Sequence, residues 1–176
     1  MNREEAYYHK LLLMNGIDDA FDSWLDSYLK TEDPLSDIVL NLSTCGSNTN
    51  QIISYLHNYC LEKPFDEKVV CDKLRSFMKE AYDKERYTLE ELCALMYKLA
   101  LAHGDPGDFE MATWGDMFYL DYYFSLANDG LIDKEKIEQA ALLYLNEGTP
   151  INYDNMWNFV KKPSILEKIK SWFNKG

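Results

Sequence analysis

Long hydrophobic runs are missing from this 176-residue sequence. Its start offers an apolar run of only four residues, Leu11 to Met14, too short for the core of a secretory signal. No segment approaches the roughly 20 apolar residues of a membrane span. Proline and glycine are scarce, at 5 and 8, and no repeat period or linker divides the chain, so one domain spanning residues 1–176 is expected. Cysteine is equally sparse. Cys45, Cys60, Cys71 and Cys93 lie 15, 11 and 22 residues apart, with no C-x-x-C and no histidine at ligand spacing. Without an export signal they read as reduced thiols of a cytoplasmic protein rather than as two disulfides. No catalytic or cofactor-binding signature is present either, which points to a protein that is not an enzyme and needs no cofactor.

What is abundant is negative charge, and it is unevenly placed. The net charge is −12. Residues 11–62 hold eight acids against one base, Lys30, and residues 99–133 hold seven acids with no Lys or Arg. Each block therefore carries −7, while the remaining segments sum to +2. Two acidic blocks argue against nucleic acid and anionic membranes as partners and favour a basic protein. The plainer account is that acidity only keeps the protein soluble.

The periodicity is helical nearly throughout, and no stretch alternates with period two. Helices are expected over 2–13 and 17–30, and over a short piece from Asp33, as cap before Pro34, to about Leu42. An uncharged loop, "STCGSNTNQ", separates these from a helix with Ile52, Leu56 and Tyr59 on one face. Next come a helix striped by Val70, Leu74, Phe77 and Ala81 and one opened by a Thr88–Glu91 capping box. A helix over roughly 109–128 follows, apolar nearly all round and hence central. Asp133 and Gly148 delimit another, and "MWNFV" and "SILEKIKSWF" close the chain. The expectation is an all-α domain of eight or nine helices around a central aromatic helix.

The most unusual stretch is "HGDPGDFEMATWGDMFYLDYYF", residues 103–124. His103 falls on the apolar face of the last turn of its helix, where a histidine can bond terminal carbonyls. A metal-dependent hydrolase using His103, Asp105 and Asp108 is the catalytic alternative, but it lacks a second histidine at ligand spacing. "HGDPGD" also reads as turn punctuation, with Asp108 as the next cap, and that reading outweighs the metal site. Within the following helix, Asp121, Ser125 and Asn128 form a narrow polar stripe. The stripe is satisfied either by internal tyrosines or by a basic partner entering a groove lined by Trp114 and Phe118. The loop at 43–51 lacks the lysine of a phosphate-binding loop and reads as a helix cap. Cys45 has no histidine nearby to activate it.

In size, acidity and helical pattern, the chain resembles the immunity proteins of bacterial toxin systems. The likeness is carried by "IDDAFDSWLDSYLKTEDP" and "DPGDFEMATWGDMFYLDYYF". It implies a cytoplasmic protein that binds one cognate toxin, often a basic nuclease, and occludes it. Acidic residues would steer the encounter and aromatics would anchor it. The residues expected to do so are Asp18, Asp22, Asp26, Asp108 and Asp116 as rim charges, with an anchor among Trp24, Tyr28, Trp114 and Tyr119. An acidic nucleic-acid mimic is a further alternative at this net charge.

Overall fold

The helical spacing of apolar side chains is realised as eight α-helices in a computed structural model whose described residues are 1–105, 107 and 110–151. They are α1 (Arg3–Met14), α2 (Phe21–Thr31), α3 (Asp37–Ser43), α4 (Thr49–Leu61), α5 (Glu67–Asp83), α6 (Leu89–His103), α7 (Met111–Asn128) and α8 (Lys134–Glu147). No strand occurs among the described residues, and no helix there is long and apolar enough to cross a membrane. Asp108 and the segments "MWNFV" and "SILEKIKSWF" lie outside the described residues.

Several helix ends follow directly from local chemistry. The Thr88 hydroxyl accepts from the Glu91 N–H at 3.2 Å, and the Glu91 carboxylate takes the Thr88 N–H at 2.8 Å, completing the capping box. Asp66 caps α5 by accepting from the amides of Lys68 and Val69. Gly148 ends α8 in the left-handed region at φ 67°, which a residue with a Cβ adopts only at a cost.

Two boundaries differ from the sequence expectation. α2 begins at Phe21, because the Phe21 N–H first closes a turn onto the Asp18 carbonyl at 2.9 Å. α3 begins at Asp37 after Ser36, and Asp33 does not cap it; the Asp33–Pro34 peptide is cis. Glu32 organises this corner. Its carboxylate accepts from the Ser36 hydroxyl at 2.8 Å and amide at 3.2 Å, and it pairs with the Met1 amino group at 2.9 Å.

One apolar cluster runs through all eight helices. α1 is its bridge: it packs against α4 on one side and against α5 and α6 on the other. Ala6, Tyr7, Leu11, Leu12 and Leu13 on α1 are all buried. α2, α3 and α4 form one half, while α7 sits between α6 and α8 and also touches α5 in the other. Trp114, Met117, Leu120, Tyr123 and Phe124 make α7 the aromatic core of that second half. Its polar stripe is at the surface, with Ser125 and Asn128 exposed, and the Asn128 amide donates to Glu90 at 2.8 Å. Ser125 and Asn128 are therefore not buried polar groups in need of a foreign donor, while Asp121 is half-buried. The four cysteines are buried free thiols.

Candidate protein-binding groove

The helix-level packing separates the two acidic blocks: α7 and its flanks belong to one half, while α2, α3 and α4 belong to the other. Each block therefore stands on its own as a candidate surface.

In the second block two of the expected interface residues, Trp114 and Asp116, turn inward. Trp114 has 0% exposure and cannot serve as an anchor, which corrects the sequence expectation. Its indole N–H donates to Glu67 Oε2 at 2.8 Å, and its ring stacks on His103 with centroids 4.1 Å apart. Asp116 is also buried, at 8% exposure, and its Oδ1 accepts the Ile151 amide at 3.1 Å. A carboxylate used to hold the chain after α8 is not a rim charge. Tyr119 is half-buried, with its ring edge against Phe118 at 5.1 Å.

The His103 side chain reaches across to neighbouring helices. The Tyr7 hydroxyl lies 2.8 Å from Nδ1, and Nε2 faces Glu67 Oε2 at 3.4 Å. The Tyr7 hydroxyl also donates to the His103 carbonyl at 3.3 Å, so it meets both the ring and the last turn of α6. Burial holds His103 below its ordinary pKa; Glu67 opposes that shift and Lys10 reinforces it. Burial also pushes the Tyr7 phenol up, with Glu67 adding to the effect. The ammonium of Lys10, itself buried, lies 4.3 Å from the centre of the Tyr7 ring. This cluster ties α1, α5, α6 and α7 together. Asp105 is occupied nearby, accepting from the Gly107 amide at 3.1 Å. Among the described residues, no group of three His, Cys, Asp or Glu side chains is placed to hold a metal ion.

The first block is arranged differently. Asp18, Asp22 and Asp26 are exposed and run along one wall of a groove of about 450 Å³. Four-residue spacing puts Asp22 and Asp26 on the same face of α2, one turn apart, and Asp18 continues the row in the preceding turn. The floor is apolar, built from Leu25, Leu29, Leu42 and Ile52 among others. The opposite wall, from Ser43 to Thr49, carries no charge. Asp26 has a loose partner in Lys30 at 3.6 Å, and both side chains are well exposed. Asp18 and Asp22 have no cation beside them among the described residues.

Trp24 and Tyr28 sit on the other side of α2, so they do not line this groove. The Trp24 indole and Tyr28 hydroxyl donate to Glu5 Oε2 at 3.2 and 3.0 Å, and Lys73 reaches Glu5 Oε1 at 3.1 Å. Burial opposes ionisation of Glu5, but these donors outweigh it and hold its carboxyl below the usual range.

A larger cavity of about 820 Å³ opens between α5 and the turn before α2. Its field is cancelled from within. Arg86 pairs with Asp19 at 3.3 Å, Lys73 with Glu5 at 3.1 Å, and Lys84 with Glu80. The smaller groove, by contrast, has no base in its lining, and among the described residues Asp26 alone of its three acids has a cation near it, the exposed Lys30.

The uncharged wall went unrecognised in the sequence because Ser43, Gly46, Ser47 and Thr49 look like ordinary helix punctuation. They are that as well: Asn48 caps α4 by accepting the Gln51 amide at 3.2 Å. Cys45 is buried within this loop, and burial pushes its thiol pKa up, away from nucleophilic use. No protein-family model, curated protein or solved structure matches the chain, so the groove and the buried cluster are themselves the ground for any functional reading.

Proposed function

We propose that this protein is a binding protein rather than an enzyme, and that it occludes or regulates a basic protein partner. The specific form we favour is a cytoplasmic immunity protein that neutralises a cognate bacterial toxin. The observation that carries this reading is the row of Asp18, Asp22 and Asp26 along a groove with an apolar floor and no lining base. Such a row raises the encounter rate with a basic surface, and a recess lets the captured group leave water.

The length of the row favours local capture over mimicry of a nucleic-acid duplex. It holds three acids, Asp18, Asp22 and Asp26, beside an apolar floor. That is short for a copy of a phosphate backbone, yet it suits a few Lys or Arg side chains.

The test is capture of partners from the native host, with co-expression against the products of adjacent genes, followed by association kinetics with any partner obtained. Asp22→Lys and Asp26→Lys should slow association and flatten its dependence on ionic strength. Asp116→Lys is unsuitable here, because that carboxylate is buried and its loss would disturb folding. Association that ignores both α2 substitutions and salt would defeat the acidic-surface mechanism.

A further inference from the structure

Resting on that reading, we infer that the groove between α2 and the 43–49 loop is a socket for one arginine- or lysine-bearing segment of the partner. The basic side chains would lie along the floor with their charged heads against Asp22 and Asp26. The argument comes from the shape of the chemistry. A groove lined only by carboxylates would accept any small cation, and a purely apolar one would exclude charge. This groove places Leu25, Leu29 and Leu42 beneath an acidic edge. Long basic side chains have the matching construction, an aliphatic stem ending in a charged head. The volume of about 450 Å³ has room for one or two such side chains and not for a folded element.

The two walls also differ. Ser43, Ser47 and Thr49 offer hydroxyls and no charge, so the heads are drawn to the α2 side and the segment binds in one orientation. Asp18 extends the acidic wall beyond Asp22 by a further four residues, which gives a second basic side chain a place to sit.

The experiment uses the full chain, isotope-labelled, and three synthetic helical peptides with blocked ends at low ionic strength. The first carries arginine at four-residue spacing on one face. The second replaces arginine by citrulline, which keeps the shape and removes the charge. The third replaces it by diaminopropionate, which keeps a charge and removes the stem. The arginine peptide should shift the amide resonances of 43–49 and of α2. The citrulline and diaminopropionate peptides should bind at least about tenfold more weakly. Asp22→Asn should weaken arginine-peptide binding about threefold and the Asp22→Asn, Asp26→Asn pair about tenfold. All these positions are exposed, so the variants should fold, and far-ultraviolet circular dichroism checks that.

Equal binding of the diaminopropionate peptide would overturn the socket while leaving an acidic binding surface standing. Shifts confined to α7 and α8 would do the same. Failure of the arginine peptide to bind anywhere would sink both the socket and the functional reading on which it rests.

Discussion

Lowering the pH should destabilise this fold through His9, and the size of the effect can be worked from its surroundings. The His9 ring lies 4.3 Å from Trp24, 5.0 Å from Tyr8 and 6.0 Å from Phe21, centre to centre, and the residue is 5% exposed. Burial, with a smaller contribution from Lys73 and against the pull of Glu5, lowers its pKa from 6.5 to about 4. A histidine with a depressed folded pKa contributes stability that is full above its unfolded value and lost as pH falls towards its folded one. The window therefore runs from 6.5 down to about 4. At about pH 5 the unfolded chain has taken up the His9 proton and the folded one has not, a difference of about 2 kcal/mol; the full loss near pH 4 is roughly 3 kcal/mol. Urea unfolding of the wild type and of His9→Phe, each at about pH 7 and pH 5, isolates this contribution. The other histidines and the carboxylates are common to both chains and cancel in the comparison. The wild type should lose about 2 kcal/mol more than the variant across that interval, with unchanged denaturant slopes. Equal losses in the two chains would show that His9 is not held neutral by the aromatic cage.

The buried cluster gives two further tests by urea or thermal unfolding. Trp114→Ala should cost about 3–5 kcal/mol, since it empties a core site and leaves Glu67 without its indole donor; a cost below about 1 kcal/mol would contradict its burial. Tyr7→Phe keeps the ring on Phe65, at 4.4 Å, and removes only the hydroxyl at His103, so a loss of about 1 kcal/mol is expected. At the helix ends, Thr88→Ala should cost about 1 kcal/mol by undoing the capping box. Gly148→Ala should cost about 1–2 kcal/mol, because φ is 67° and the new Cβ would stand 3.3 Å from the Arg75 guanidinium. Measured stabilisation by that last substitution would refute the left-handed end of α8.

How much of this was legible in the sequence depended on the range of the interaction. The capping box at Thr88, the stop at Gly148 and the stripes of α4 and α5 are set within a few residues, and local pattern finds them. The start of α3 was misplaced because Glu32, engaged with the Met1 amino group, decides it from outside the helix. The same division governs the site. Spacing alone placed Asp22 and Asp26 on one face of α2, but the 43–49 wall opposite them exists only through packing. Trp114 and Asp116 misled because an aromatic or an acid in a charged stretch reads the same whether it faces water or the core. Glu67 and Ile151, which claim them, are 47 and 35 residues away.

The bridging position of α1 bears on how the chain is made. Of the eight helices this one is made first, yet two of those it packs against, α5 and α6, end only at Asp83 and His103. Between Met14 and His103 lie about 90 residues, or roughly 5–20 s of synthesis at about 5–20 residues per second. α4 can cover one side of α1 earlier, but Tyr7 must wait for His103. Through that interval the apolar run Leu11–Leu13 has only part of its final surroundings. Apolar surface left open in this way is what makes half-made chains prone to adhere.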